Sequence, residues 1–487
     1  MNLKLRKIDI IIIAALIIMA AYVFHKSGYI QNPLEEKTPD IKFLQDEENF
    51  KIIVTYVSGD VKWNDINISG ECDKSSLTTY VLKGDEITNC HGTITITYKR
   101  NGAVLGTFIF KEKEKLPDSI IGGNERSVSA EDEGPHYNKN LVNKILVSRE
   151  WWYYTAVLNE GLPGWTISIS FNHMSRNDLF FKKPDILVVT LNGPNGEIYG
   201  SITDRERPIL GLLKNPAFQA TSSSKGFKVS FEDSYVEGKA PNWHIHIEGE
   251  HIDSSNHNIE MDLQYFAPSN PLWIFSNRLI DKSEGKIASY AFMGCEVSGT
   301  VKIDDLTYKV SGIGHHEHTW ASGIILKALI RGWDWCHIRM DNGWEIYYSN
   351  YYLLPQTKST KTSLINPLSS LVITTNQGET FTKLEDVDIN ILESDKSEKK
   401  ILPINFPRET KITGKTSSVQ ILLRSYNLKL DIDIKTDNVY QRVWGRLSNV
   451  GMSIGRATVT GKISWSDDDG KHLVDLNGIA TIWNMRH

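Results

Sequence analysis

The chain has 487 residues, a formal net charge of −5 at pH 7 and a sequence pI near 6.3. A chain of this length is too long to form one ordinary hydrophobic core, and its length predicts about three domains. The acidic balance, without a long basic run after the N-terminus, excludes nucleic acid as an expected partner. The 13 tryptophans and 19 tyrosines favour large β-structures that contact apolar ligands.

Residues 1–26 are predicted to form a cytoplasmic tip and a membrane anchor helix. Lys4, Arg6 and Lys7 precede an uncharged apolar run from Ile10 to Phe24. Positive charge before the run predicts a single pass with the N-terminus inside, so that most of the chain is extracytoplasmic. The run is shorter than the roughly 20 residues of a full span, so a cleaved signal peptide is the alternative.

Residues 27–45 are polar and predict a stalk. From 46 to 114, alternating runs predict a small β-sandwich, at Lys51–Val57, Thr93–Tyr98 and Val104–Phe110. This block, with Gly59-Asp60-Val61-Lys62-Trp63 and Lys83-Gly84-Asp85, resembles the small β domain of archaeal type IV pilin-like proteins. The resemblance implies a spacer or interaction module in an archaeal envelope, without chemistry of its own.

The chain has four cysteines. Cys72 and Cys90 fall in the small β block, and outside the membrane they are predicted to form a disulfide. Cys295 and Cys336 lie in apolar strand patterns that favour buried free thiols. The sequence has no CxxC motif, so a cysteine zinc site is not indicated, and we expect neither a metal nor a cofactor.

A charged linker over 115–138 leads into the main body, where apolar and polar residues alternate with a period of two. The alternation is clear in Trp165–Phe171, Trp243–Glu248 and Ile259–Leu263. Roughly 350 residues of such strands are too many for one small sandwich, and they favour two antiparallel barrels in tandem. The predicted fold is therefore all-β, with barrels over 139–325 and 326–487.

Three motifs follow one another in this main body: Glu150-Trp151-Trp152-Tyr153-Tyr154, Gly312-Ile313-Gly314-His315-His316-Glu317-His318-Thr319-Trp320, and Gly332-Trp333-Asp334-Trp335. Their order resembles the AttH/CrtC family, which includes carotenoid 1,2-hydratase (hydroxyneurosporene synthase). The resemblance spans about residues 140 to 487 and implies two lipocalin-like barrels. The sequence departs from the family at Arg149, where histidine is expected, and at His315, where an aromatic residue is usual.

The histidine-rich motif is the centre of the predicted active site, and its predicted catalytic residues are His316, Glu317, His318 and Trp320. On a strand, His316, His318 and Trp320 point to one face, and Glu317 points to the other. The resemblance implies that His318 and Trp320 lie at the reaction centre. An imidazole can protonate an alkene, and an indole face can stabilise the carbocation. Two alternatives are histidines that only tie down loops and histidines that bind a metal.

Asp334 is the second predicted proton donor. If Asn342-Gly343 is a two-residue hairpin turn, Asp334 opposes Tyr351 and shares a face with Tyr347. A desolvated aspartate there would have a raised pKa and could act as a general acid; the alternative is a structural carboxylate bonded by a tyrosine. The residues predicted to contact substrate, if they do not only pack the core, are Trp151, Trp152, Tyr154, Trp333, Trp335 and Tyr351.

Two classes of function follow from this pattern. The first is a cofactor-independent, monomeric hydratase or cyclase of the cell envelope that acts on a hydrophobic unsaturated molecule, isoprenoid or carotenoid-like. The second is a non-catalytic lipocalin-like protein that binds a lipid there. The sequence lacks a Gly-x-Ser-x-Gly nucleophile elbow, so a hydrolase mechanism is not indicated.

Overall fold

The computed structural model describes residues 38–47, 49–74, 76–110, 116, 127–137, 147–174, 184–206, 217–249, 257–275, 288–322, 332–352, 359–362, 370–384, 386–396, 404–416, 427–444, 450–467 and 470–486. The predicted anchor over 1–26 and most of the predicted stalk lie outside these residues. Within the described ranges, no helix has the length and apolar character needed to cross a membrane. The chain divides into two compact units, Met1–Lys115 and Leu116–His487.

The first unit contains a five-stranded antiparallel sheet in the order β1-β2-β4-β3, with β5 paired to β4; the strands are β1 Ile41–Asp46, β2 Lys51–Val57, β3 Ile66–Asp73, β4 Glu86–Tyr98 and β5 Val104–Ile109. The start of β4 pairs with β2 and its end pairs with β5. Asn89 and Gly92, both with positive φ, lie between these two parts. The strands agree with the predicted β block, and the pilin-like identity stays a prediction.

All four cysteines are free thiols in the structure, which differs from the predicted disulfide between Cys72 and Cys90. The two side chains nevertheless influence each other's titration. The hydrogen bond from Cys90 lowers the pKa of Cys72 to about 7, while the same bond and burial raise the pKa of Cys90. The disulfide stays a prediction for the oxidised protein. Cys295 and Cys336 are buried thiols, as predicted.

The second unit begins with a 12-stranded antiparallel sheet, called here the first sheet. Its strands are β6 Val147–Glu160, β7 Thr166–Met174, β8 Pro184–Asn192, β9 Ile198–Glu206, β10 Phe218–Ser223, β11 Gly226–Phe231, β12 Ser234–Lys239, β13 Asn242–Ile247, β14 Ile259–Phe266, β15 Leu272–Phe275, β16 Ala288–Ile303 and β17 Leu306–Ser322. They run in the order β10-β11-β12-β13-β14-β16-β17-β6-β7-β8-β9, with β15 paired to β16. The long neighbours β16, β17 and β6 lie at the middle of this sheet.

A ten-stranded antiparallel sheet, the second sheet, follows. Its strands are β18 Gly332–Met340, β19 Glu345–Tyr352, β20 Ser359–Thr362, β21 Ser370–Thr374, β22 Thr382–Leu384, β23 Asp386–Lys396, β24 Asn405–Lys415, β25 Lys429–Trp444, β26 Val450–Asp467 and β27 Gly470–Arg486. They run in the order β20-β23-β24-β25-β26-β27-β18-β19-β21-β22. The predicted all-β class is confirmed. Among the described residues no ladder joins the edge strands of either sheet, so closed barrels are not formed by these strands alone.

Three apolar cores fill the second unit. The first core lies on the inner face of the first sheet and includes Trp152 and Trp243. The second core lies between the two sheets, because it joins Trp151 of β6 to Trp335 of β18 and Trp483 of β27. A third core covers the other face of the second sheet. The alternation along β6 thus sends neighbouring side chains into two different cores.

The predicted linker over 115–138 is in part a structural element of the first sheet. Ala130–Glu133 forms a short helix, α1, with a capping box between Ser129 and Asp132. Glu133, the last residue of this helix, is buried, and so is His136, which follows the helix. The main-chain oxygen of Glu133 accepts a hydrogen bond from Trp152 Nε1 at 3.0 Å, which fixes this segment against the inner face of β6.

Candidate active site

The histidine motif lies on the part of β17 that pairs with β6, from Ser311 to Ser322. His316 pairs with Tyr154, His318 with Trp152, and Trp320 with Glu150. Residues directly opposite each other in an antiparallel ladder point to the same face, so these six side chains share the inner face of the first sheet. Glu317 and His315 point instead toward the core between the sheets, as the period-2 pattern predicted.

Glu150 is the centre of a buried hydrogen-bonded group on the inner face. Its carboxylate accepts from His318 Nε2 at 3.0 Å and from His136 Nδ1 at 2.9 Å. It also accepts the main-chain N–H groups of His136 and Tyr137, at 2.9 and 2.8 Å. Four donors around one buried carboxylate compensate its loss of hydration.

The pKa values of this group identify which partner carries the charge. Burial alone would raise the pKa of Glu150, but hydrogen bonds from His136 and His318 outweigh it and hold that pKa at about 2. Burial lowers the pKa of His318 below its ordinary value, against the raising influence of Glu150 and of the main-chain oxygen of Asp132. At neutral pH Glu150 is therefore ionised and His318 is neutral. An ionised carboxylate can only accept, so His318 carries its proton on Nε2.

The other ring nitrogen of His318 faces Tyr290. The Tyr290 hydroxyl lies 3.2 Å from His318 Nδ1, and burial raises the pKa of Tyr290 well above its usual range, so the hydroxyl is protonated and donates. Tyr290, His318 and Glu150 thus form one chain of hydrogen bonds. A proton added to Nδ1 would give an imidazolium that the Glu150 carboxylate stabilises directly.

Two indole rings enclose His318. Trp152 stacks on its ring with a centroid distance of 4.7 Å, and Trp320 lies 5.1 Å away at a tilt of 45°. Trp320 also stacks on His136 at 3.8 Å and 5°. Indole faces attract cations, so this arrangement suits a positive charge at or beside the imidazole. The structure therefore brings together the predicted residues His318, Trp320 and Trp152.

His316 lies two residues before His318 on the same face. Its ring stacks on Tyr154 with a centroid distance of 4.1 Å, and its Nδ1 lies 3.2 Å from the main-chain oxygen of Tyr153. Burial lowers the pKa of His316 well below its usual range. His316 is thus a neutral, aromatic-lined neighbour of the Glu150 group, and the predicted residue Tyr154 lies against it.

Glu317 belongs to the core between the sheets. Its carboxylate accepts from Trp335 Nε1 at 2.9 Å, from the Tyr347 hydroxyl at 3.0 Å and from the Thr319 hydroxyl at 2.9 Å, and Trp151 Nε1 lies 3.4 Å away. These donors are uncharged. Because side chains alternate along β17, the strand backbone separates Glu317 from His318. The predicted ligand-contacting residues Trp151 and Trp335 are hydrogen-bond partners of Glu317.

The structure corrects the predicted hairpin register around Asp334. Met340 and Trp344 close a three-residue loop, with Gly343 in the left-handed region at φ 86°. The longer loop shifts the pairing by one residue, so Asp334 opposes Asn350 rather than Tyr351. Tyr347 consequently points to the opposite face from Asp334.

Asp334 is an ion-pair residue of the second sheet. Both of its oxygens accept from the Arg486 guanidinium, at 2.7 and 3.0 Å, and the Tyr352 hydroxyl donates to the same carboxylate. The predicted alternative, a carboxylate bonded by a tyrosine, describes this geometry. Trp333 pairs with Tyr351 in the β18–β19 ladder and lies in the core between the sheets; the Tyr351 side chain is outside the described part of the structure.

Three residues of the inner face were not predicted from the sequence: His136, Tyr290 and Glu133. Glu133 accepts from the Ala240 main-chain N–H at 2.9 Å and from Trp243 Nε1 at 2.9 Å, and burial raises its pKa to about 7. The Ser129-x-x-Asp132 capping pattern was the available signal for an ordered element here.

In the part of the chain that the structure describes, His136, Glu150 and His318 are the one group of possible metal ligands, with ligand atoms within 4.8 Å of one another. Two imidazoles and a carboxylate are a donor set that zinc accepts. However, hydrogen bonds already account for all three ligand atoms, and an ion would have to replace both imidazole protons. The expectation of no metal stays a prediction.

Comparisons with known proteins found similar solved structures and one matching family profile. Among solved structures, an AttH-type protein from Nitrosomonas europaea is 15% identical, with a TM-score of 0.49 over 76% of this chain and 98% of its own. Kievitone hydratase from Nectria haematococca is 10% identical, with a TM-score of 0.46 over 77% and 98%. CghA with Sch210972 is 10% identical, with a TM-score of 0.45 over 76% and 94%.

The family comparison is more specific. No curated protein matches the chain. The sequence profile of the AttH-like family matches residues 212–451, a segment that contains both the histidine motif and Gly332-Trp333-Asp334-Trp335. This match confirms, over residues 212–451, the AttH-like resemblance that the motifs indicated.

Proposed function

We propose that the chain is a cofactor-independent enzyme that hydrates or cyclises a hydrophobic unsaturated small molecule, of isoprenoid or carotenoid type, at the inner face of the first sheet. The observation that carries the proposal is the hydrogen-bonded chain Tyr290–His318–Glu150, buried among indole rings. An ionised carboxylate, an imidazole and a hydroxyl in series can move a proton without any cofactor.

The chemistry is acid catalysis by His318. The protonated imidazole transfers the proton on Nδ1, directly or through the Tyr290 hydroxyl, to one alkene carbon, and the other carbon becomes a carbocation. In hydration, the oxygen of water bonds to that cation and the released proton returns to Nδ1. In cyclisation, a second double bond attacks the cation and Nδ1 takes the proton that is lost. Trp152 and Trp320 stabilise the cation, and the lowered pKa of His318 makes its protonated form a stronger acid.

The second candidate is a non-catalytic protein that binds a hydrophobic ligand. The saturation of Glu150 by four donors favours it, because a structural polar network would also satisfy every lone pair. A binder would tolerate loss of the imidazole as long as the aromatic inner face kept its shape.

The test is deuterium transfer from heavy water into a panel of acyclic carotenoids and isoprenoids, followed by mass spectrometry. We expect wild type to form deuterated product and His318→Ala to lower the rate by roughly 10²-fold or more. His244→Ala is the matched control, because His244 is a partly exposed histidine of the same sheet that bonds Asp262 at 3.1 Å. Saturable binding by wild type without deuterated product, or equal rates in wild type and His318→Ala, would refute the enzyme.

We also place the enzyme outside the membrane as a monomer held by the N-terminal segment. The support is the sequence itself: Lys4, Arg6 and Lys7 precede the apolar run from Ile10 to Phe24. The full-length protein is expected in the membrane fraction after alkaline carbonate washing, and as one copy per detergent micelle by light scattering. Protein released by the carbonate wash would contradict the anchor and favour a cleaved signal peptide.

A further inference from the structure

Three polar atoms on the inner face of the first sheet have no hydrogen-bond partner among the described residues. They are the hydroxyls of Tyr154 and Tyr265 and the Nε2 atom of His316, and all three side chains are buried. Leaving a buried polar group unpaired costs roughly 1–3 kcal/mol, so three such groups in one region need an explanation.

The three side chains are neighbours. Tyr154 stacks on His316 at 4.1 Å, and its ring makes an edge contact with Tyr265 at 5.4 Å. Burial raises the pKa of both tyrosines well above the usual range, and for both the Cys295 thiol adds to the effect; for Tyr154, the nearby Tyr265 does so too. Both hydroxyls therefore stay protonated at neutral pH.

The direction of each unused hydrogen bond follows from chemistry. His316 Nδ1 faces the main-chain oxygen of Tyr153, which can only accept, so Nδ1 carries the ring proton. His316 Nε2 is then an acceptor in need of a donor. The tyrosine hydroxyls can donate as well as accept. A group that satisfies all three must both donate and accept hydrogen bonds, and a hydroxyl does this.

Gly314 of the histidine motif permits this arrangement. A Cβ at position 314 would lie 2.9 Å from Tyr265 Cε1 and 2.4 Å from the main-chain oxygen of Thr155. The glycine therefore lets the Tyr265 ring lie directly against β17. This accounts for a part of the motif that the proton chemistry at His318 does not use.

We propose that the Tyr154 and Tyr265 hydroxyls and His316 Nε2 form a subsite for a hydroxyl group of the hydrophobic substrate, so that the substrate class is an unsaturated isoprenoid alcohol. This inference rests on the proposed function and deepens it. His316 and His318 are two residues apart on one strand, which places the subsite about 7 Å from the proton donor. The hydroxyl end would thus fix which double bond reaches His318.

The experiment compares two probes that differ by one proton donor: geranylgeraniol and its methyl ether. Binding to the full-length protein is followed by quenching of tryptophan fluorescence, without turnover. We expect wild type to bind the alcohol at least tenfold more tightly than the ether. His316→Phe removes the acceptor that only the alcohol can use, so it should bind both probes within about twofold of each other. The double variant Tyr154→Phe/Tyr265→Phe should bind both probes more weakly than wild type, because the oxygen of either probe accepts from the tyrosine hydroxyls. Tyr352→Phe, whose lost hydroxyl bonds Asp334 in the second sheet, should keep the wild-type preference.

A second readout separates an unpartnered hydroxyl from one that is already satisfied. Tyr154→Phe and Tyr265→Phe should unfold at or above the wild-type midpoint in urea, because each removes a buried hydroxyl without a partner, whereas Tyr352→Phe should unfold earlier. Equal affinity of wild type for the two probes, or loss of stability in Tyr154→Phe and Tyr265→Phe equal to that in Tyr352→Phe, overturns the subsite. A wild-type preference without deuterium transfer leaves the subsite standing and refutes the chemistry.

Discussion

Replacing Glu150 by glutamine tests whether the inner-face group stabilises the second unit as its geometry requires. A pKa of about 2, against an ordinary value of 4.5, corresponds to roughly 3 kcal/mol of preferential stabilisation of the ionised carboxylate in the folded state. Glutamine keeps the shape but offers one acceptor oxygen, and its NH₂ group would face N–H donors of His136, Tyr137 or His318. We expect Glu150→Gln to lower the free energy of unfolding by roughly 3–5 kcal/mol.

The assay is urea unfolding followed by tryptophan fluorescence. Of the 13 tryptophans, only Trp63 precedes residue 116, so the signal reports on the second unit. The matched control is Glu260→Gln, because Glu260 also has a lowered pKa, from its bond to Lys302, but its side chain is 41% exposed to solvent. The control should unfold within about 0.5 kcal/mol of wild type.

The pH dependence of the free energy of unfolding provides a second test of this prediction. The folded-state pKa of Glu150 is below its unfolded value, so its contribution is fully present above pH 4.5 and is lost as the pH falls from 4.5 toward about 2. Glu150→Gln should therefore lose less stability than wild type across that window. If Glu150→Gln unfolds within 1 kcal/mol of wild type at pH 7, or keeps the acid dependence of wild type, the four hydrogen bonds do not stabilise the carboxylate as we argue.

Three further predictions concern chemistry and packing. Deuterium transfer should rise as the pH falls below 6.5, because the acid is protonated His318 and its folded-state pKa is lowered; a rate that falls over this range would indicate a base instead. Gly314→Ala should lower the free energy of unfolding by at least about 2 kcal/mol, since its Cβ would meet the main-chain oxygen of Thr155 at 2.4 Å; urea unfolding within 0.5 kcal/mol of wild type would contradict this. Asp334→Asn should cost about 3–5 kcal/mol, because the buried Arg486 guanidinium loses its carboxylate counter-ion, yet it should keep deuterium transfer per folded molecule. A tenfold lower rate would indicate that Asp334 takes part in the chemistry.

The sequence predicted those parts of the site that depend on strand periodicity. His316 and His318 were placed on one face and Glu317 on the other, because a pleated strand alternates its side chains regardless of what packs on them. The pairing partner of Asp334 was predicted incorrectly, since a hairpin loop of two or three residues is hardly distinguishable in Asp341-Asn342-Gly343 and one residue reverses the face.

The residues that the sequence did not reveal lie in irregular or distant segments. His136 follows a short helix in a stretch that was interpreted as a charged linker, and its role depends on Glu150 more than ten residues later. Tyr290 belongs to an apolar strand where a tyrosine is ordinary core. A hydrogen bond between side chains on different strands depends on tertiary packing, and the periodicity along one strand does not predict that packing.

The β6–β17 ladder places two of the sequence motifs side by side. Glu150, Trp152 and Tyr154 are even-numbered positions of one motif, and they pair with Trp320, His318 and His316 of the other. Because paired residues share a face, the two motifs interdigitate into one surface that carries the carboxylate, the imidazoles and the indoles together. The intervening odd positions form an equivalent surface toward the second sheet, where Glu317 meets Trp151. A one-residue shift of either strand would exchange these two surfaces and separate His318 from Glu150, so the register of this ladder is the feature on which the proposed chemistry depends.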